Sequence, residues 1–150
     1  MNGIVTKIFI AVQGAAAMQA VEEIEAIAEC GLRGDRYASG NGTYGGSDEC
    51  QVTLIESEDL EEIRTGGLHV ENGEHRRNLV TRGIRLEGLH GKRFRIGEAV
   101  LEYKRPRPPC RHLESLTEPG MMKALAGCGG VCARVVKSGK IRANDPIVIL

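Results

Sequence analysis

Tryptophan is absent from this chain of 150 residues, and aromatic side chains are limited to two phenylalanines and three tyrosines. The core must therefore be built from Val, Ile, Leu and Ala. A stacking platform for single-stranded bases is disfavoured, because such platforms need several exposed aromatic rings. No run of about 18 apolar residues occurs, which predicts no membrane-spanning helix. The amino-terminal stretch from Met1 to Val12 has neither the charged leader nor the small-residue cleavage site of a secretory signal. There is no Cys-x-x-Cys pair and no histidine pair at zinc-finger spacing, which argues against a structural zinc site. Net charge is also lacking: 20 Lys and Arg balance 20 Asp and Glu. Together these absences predict a cytoplasmic protein with reduced thiols and with no membrane or nucleic-acid partner.

The zero net charge hides an uneven distribution. Residues 1–74 carry 14 acidic and 4 basic side chains, whereas residues 75–111 carry 11 basic and 3 acidic ones. A locally cationic segment in a neutral protein suits an anionic ligand, and equally suits ion pairing with the acidic half across the fold. Length and composition fit one domain over residues 1–150. The 20 glycines punctuate short apolar runs, which predicts a mainly β fold with a few short helices. Strands are expected at residues 3–12, 51–55, 78–81, 92–96, 98–103, 131–137 and 146–150. A helix capped by Ser57 is expected at 57–66 and another, with Pro119 in its first turn, at 118–126. Propensity alone makes 15–29 a helix. Residues 39–48 read as a polar glycine-rich loop, and three prolines between Pro106 and Pro109 should stop any central strand.

Five ordered segments resemble the MOSC family, the domain type found at the carboxyl end of molybdenum-cofactor sulfurases. They are Gly31-Leu32-Arg33-Gly34-Asp35-Arg36-Tyr37, Gly73 to Gly83 with its His75-Arg76-Arg77-Asn78, Leu89 to Gly97, Pro109-Cys110, and Gly129-Gly130-Val131 leading to Ile141-Arg142 and Asp145. The resemblance implies a fold centred on a β-barrel, with a strand near residues 20–28 in place of the propensity-based helix. It implies molybdenum-cofactor (molybdopterin) binding or sulfur handling through the cysteine of the Pro-Cys pair. A pyridoxal-phosphate-dependent desulfurase domain accompanies this domain in the larger sulfurases. No pyridoxal phosphate is expected here, and a separate cysteine desulfurase becomes the expected sulfur donor. A molybdoenzyme or a reductase is the other expected partner. Two positions depart from the family: Cys128 stands where an arginine is common, and Asn144 where glycine is common.

The residues themselves suggest how such a site would work. Cys110 is the candidate catalytic thiol and metal ligand, since only a thiolate is a good nucleophile or soft-metal ligand. Arg107 and Arg111 flank it and would favour the thiolate. Arg76, Arg77 and Asn78 offer two guanidiniums and an amide to a phosphate or a pterin edge. Arg36 either joins that grip or pairs with Asp35. Gly129 and Gly130 either bring backbone amides to an anion or form a tight turn. Cys128 and Cys132 are a second thiol site, a resolving partner for Cys110, or ordinary packing. Two other functions remain open at this level: a molybdenum-dependent reductase of N-hydroxylated compounds, and a non-catalytic module for anionic ligands.

Overall fold

The computed structural model describes residues 2–39, 50–109 and 111–150. The glycine-rich loop and Cys110 itself therefore lie almost wholly outside the described residues. Eleven strands are described: β1 Gly3–Ile10, β2 Gln19–Val21, β3 Glu23–Ile27, β4 Gly31–Leu32, β5 Val52–Glu56, β6 Leu79–Arg82, β7 Arg93–Ile96, β8 Ala99–Pro106, β9 Val131–Lys137, β10 Gly139–Arg142 and β11 Pro146–Ile149. The helices are short: α1 Arg36–Ser39, α2 Ser57–Thr65, α3 Arg111–Ser115 and α4 Met121–Ala124. None of the described helices is long and apolar enough to cross a membrane.

Seven strands close a barrel in the order β11, β7, β8, β9, β5, β6, β1 and back to β11. Closure removes the open edges that a β-rich chain must otherwise protect. All pairings in it are antiparallel except β5 with β6. β2 extends the sheet along the second half of β1, and β10, β3 and β4 form a separate three-stranded sheet. Alternation along the strands produces two cores. Val5, Ile8, Leu54, Leu79, Phe94 and Leu101 belong to one cluster, while their neighbours Phe9, Ile55 and Val80 join Leu60 and Ile63 of α2 in the other.

Four local expectations change. Residues 15–29 hold strands and not a helix, as the family resemblance implied. Glu23 and Glu25 are exposed while Ala26 is buried, and Ile24 pairs with Ile141 of β10. Strand pairing overrides an Ala- and Glu-rich propensity. β8 runs through Pro106 because β7 accompanies it only as far as Glu102. Beyond that point β8 has β9 on one side alone, so the missing proline N–H costs no ladder bond. α2 begins after Glu56, which makes no side-chain cap, and Ser57 is already helical. The helix expected at 118–126 shrinks to α4, because Gly120 sits at φ 94 and places Pro119 outside it.

The thiol expectation is also corrected: Cys50 and Cys132 form a disulfide across 82 residues. Cys132 is thus no resolving partner for another thiol in this state. Asn144 adopts φ 75, the left-handed conformation that its substitution for glycine requires.

Candidate functional site

Asp35 is the hub from which the site grows. Its side chain is fully buried at the end of the turn after β4. Oδ1 accepts the Ala11 N–H at 3.0 Å, an Asn78 amide N–H at 3.2 Å and the Arg36 guanidinium at 3.2 Å. Oδ2 accepts the Tyr37 N–H at 3.3 Å. A buried carboxylate that accepts this many donors shapes the loop around it. It also fixes Arg36 at the start of α1.

Asn78, at the entrance of β6, is completely buried and its amide is fully engaged within the protein. Oδ1 accepts the backbone N–H and the hydroxyl of Thr53, both at 3.0 Å. Nδ2 donates to the Phe9 carbonyl at 3.1 Å and to Asp35. These four bonds use the capacity of an amide. Asn78 therefore ties β1, β5 and the Asp35 turn together, and it contributes to a ligand site by holding these elements in place.

Four guanidiniums converge around this strut. Arg36 donates from Nη2 to the Arg76 carbonyl at 2.9 Å and lies over the Tyr37 ring, 4.5 Å from its centroid. Arg107 donates to the Tyr37 hydroxyl at 3.3 Å, and Arg36 donates to the same hydroxyl at 3.4 Å. Arg77 is a clamp: Nε donates to the Gly129 carbonyl at 2.6 Å, and Nη2 to the Arg107 carbonyl at 3.2 Å and the Pro108 carbonyl at 3.5 Å. The backbone leading into Cys110 is thereby anchored to the guanidinium cluster. Arg76 turns the other way, donating to the Gly14 carbonyl at 2.8 Å.

Arg76 is the most unusual member. It is only 8% exposed, and its backbone sits at φ 62, in the left-handed region that a residue with a long side chain rarely adopts. Burial and the neighbouring Arg36 charge push its pKa down, against the partial compensation of Tyr37 and Asp35. A buried cation beside a like charge on a strained backbone is costly, and such costs concentrate where ligands bind.

The two glycines expected to meet an anion have a packing reason. A Cβ on Gly129 would lie 2.5 Å from the Arg107 carbonyl oxygen, and one on Gly130, at φ 94, would lie 2.1 Å from the Leu54 carbonyl oxygen. Both let β8, β9 and β5 approach closely near the clamp. Arg111 is exposed at the start of α3, and no described hydrogen bond or ion pair ties it to the other guanidiniums. Cys128 is half-buried and donates to the Ala124 carbonyl. Burial and the carboxylates of Asp59, Glu62 and Glu56 push its thiol pKa up, so it stays protonated near neutrality.

Two participants were not anticipated. Tyr37 bridges Arg36 and Arg107, and its place directly after Gly-Asp-Arg was the available signal. His75 is fully buried, with Nδ1 accepting the Arg77 N–H at 2.9 Å. In sequence it has no metal-ligand partner at helical spacing to mark it.

The donor set suits an anionic, phosphate-bearing ligand such as molybdopterin: Arg36, Arg76 and Arg107 are cations of fixed geometry next to a segment ending in a cysteine. A family model described as the MOSC domain matches residues 41–148. The crystal structure of YuaD from Bacillus subtilis superposes with a TM-score of 0.81 at 17% identity, covering 99% of this chain and 96% of that one. YiiM from Geobacillus stearothermophilus gives a TM-score of 0.74 at 19% identity, covering 97% of this chain and 74% of that one. YiiM from Escherichia coli gives 0.66 at 22% identity, with 98% and 69% covered. A comparison with curated proteins finds no match.

Proposed function

The chain belongs to the MOSC domain family, which is associated with molybdenum-cofactor binding, and from that premise we propose that it binds this cofactor and handles sulfur at the metal through Cys110. The observation that carries the reading is the buried Arg36–Arg76 pair with Arg76 at φ 62. An anion placed there would relieve like-charge repulsion inside a low-dielectric site. Arg36, Arg76 and Arg107 would hold the phosphate end of the cofactor. Arg77 would position the backbone before Cys110, while Asp35 and Asn78 keep the cluster rigid.

When bound, the molybdenum centre supplies two-electron redox chemistry at a sulfur-ligated metal. Cys110 would contribute a thiolate, with Arg107 and Arg111 close to it in sequence. The same thiolate can collect sulfur from a cysteine desulfurase. It attacks the outer sulfur of the donor persulfide, that S–S bond breaks, and the donor leaves as a thiolate. Cys110 then carries the sulfane sulfur, with no net oxidation or reduction.

The test is metal and pterin content after purification from a cofactor-producing host, together with transfer of labelled sulfur from a desulfurase. Wild-type protein is expected to retain pterin and to accept label. Cys110→Ala is expected to lose the labelled sulfur and most of the metal. Unchanged metal and sulfur in that variant would remove Cys110 from the account.

A further inference from the structure

A cavity of about 360 Å³ lies between α2 and the outer faces of β1 and β6. Its volume falls in the range that holds small organic ligands. Phe9, Leu60, Val70 and Val80 supply an apolar lining, and Lys7 and His75 supply polar groups. Two pairs of charges at its margin already neutralise one another: Arg64 with Glu71 at 3.4 Å, and Arg82 with Glu61 at 3.6 Å. Lys7 has no carboxylate partner among the described residues; its ammonium donates to the Glu71 backbone carbonyl at 3.4 Å. The cavity therefore carries about one unit of positive charge against an apolar lining.

His75 adds direction. Its Nδ1 accepts the Arg77 N–H, so the proton of the neutral ring resides on Nε2. That Nε2–H is buried and is the single buried side-chain nitrogen or oxygen among the described residues without a hydrogen-bond partner. A buried donor left unmatched is costly, and an acceptor oxygen would satisfy it. Burial and the charges of Arg77 and Lys7 push the His75 pKa down to about 3, so the ring remains a single-proton donor at neutral pH. Phe9 meets the imidazole edge-on, with ring centroids 5.5 Å apart, and both rings belong to the cavity wall.

We propose that this cavity binds a small aromatic or alicyclic monocarboxylate, its ring against Phe9, Leu60, Val70 and Val80, and its carboxylate shared between the Lys7 ammonium and the His75 Nε2–H. The charge excess selects an anion, the lining selects an apolar body, and the orphan donor selects an oxygen acceptor. This site is separate from the guanidinium cluster, although the His75–Arg77 hydrogen bond joins their walls.

Benzoate is the probe. The full-length protein, labelled with 15N-histidine, is titrated with benzoate, acetate, benzamide and inorganic phosphate, and the His75 ring nitrogens are followed by NMR. Benzoate is expected to move the His75 Nε2 signal saturably. Acetate lacks the ring and benzamide the charge, so each is expected to bind about tenfold more weakly. Lys7→Met removes an exposed side chain and is expected to weaken benzoate by about the same factor. Phosphate is expected to leave the Nε2 signal in place, which separates this site from the anion grip. A His75 signal that ignores benzoate, as when water alone satisfies Nε2, overturns the proposal. So does a signal that responds equally to acetate or equally in Lys7→Met.

Discussion

Arg76 concentrates the tension of the site in one residue. Its φ of 62 would suit glycine, yet the residue is a buried arginine beside Arg36. Arg76→Gly should therefore separate stability from function. The variant removes backbone strain and like-charge repulsion, together worth about 1–3 kcal/mol, against one lost bond to the Gly14 carbonyl. Its thermal midpoint is expected to equal or exceed that of the wild type while pterin retention falls. A large drop in the midpoint would show that Arg76 serves the fold first. His75 gives a pH signature of the opposite kind. The folded ring refuses a proton down to about pH 3, whereas the unfolded chain accepts one near the ordinary 6.5. The stability this residue supports is complete above pH 6.5 and is lost progressively as the pH falls toward 3. Urea unfolding at pH 5 is expected to give about 2 kcal/mol less from this residue than at pH 7. His75→Asn keeps an acceptor for the Arg77 N–H and is expected to flatten that slope.

At the scale of elements, the site depends on how Asn78 ties strands that are far apart in sequence. Asn78→Asp preserves the acceptors for Thr53 but replaces two donors and sets a second carboxylate against Asp35. A loss of about 3 kcal/mol is expected at pH 7, and less near pH 4 where one carboxyl takes a proton. Chemical denaturation at the two pH values measures it. Most strands were legible because β1, β5, β9 and β11 are apolar runs bounded by turn residues. The region from Gln19 to Ile27 was not, because its Ala and Glu content favours a helix and only the alternation of Glu23, Ile24, Glu25 and Ala26 points to a strand. β8 outran its expected end because the harmlessness of Pro106 depends on the shortness of β7, which is a tertiary fact. Arg36, Arg76 and Arg77 were legible within the family segments, and Arg107 from its place near Cys110 in sequence. The division of labour was not: an arginine that clamps carbonyls and one that faces a ligand look alike in sequence.

For the molecule as a whole, the closed barrel and the Cys50–Cys132 disulfide hold the segments that carry the site. Cys132 pairs in register with Thr53, whose side chain grips Asn78, so the cross-link sits one strand away from the strut. Closing a loop across 82 residues is expected to contribute about 2–4 kcal/mol. Unfolding with and without a dithiol reductant measures this, and an unchanged midpoint would show that the bridge is incidental to stability. The basic segment also divides at this scale. Arg82 and Arg93 pair with Glu61 and Glu102 on the surface, and exposed Arg85 pairs with the buried Glu56, while Arg76, Arg77 and Arg107 are buried in the cluster. The charge block is thus part solvated pairing and part buried guanidinium cluster, a division that sequence order alone does not reveal. The central claim is that the buried cluster, and not the exposed charge beside Cys110, grips the cofactor. Pterin content of Arg76→Ala and Arg111→Ala, purified side by side from a cofactor-producing host, tests it most directly. The account predicts a loss of about tenfold or more for Arg76→Ala and near wild-type content for Arg111→Ala. Equal retention in both, or a loss confined to Arg111→Ala, would contradict it.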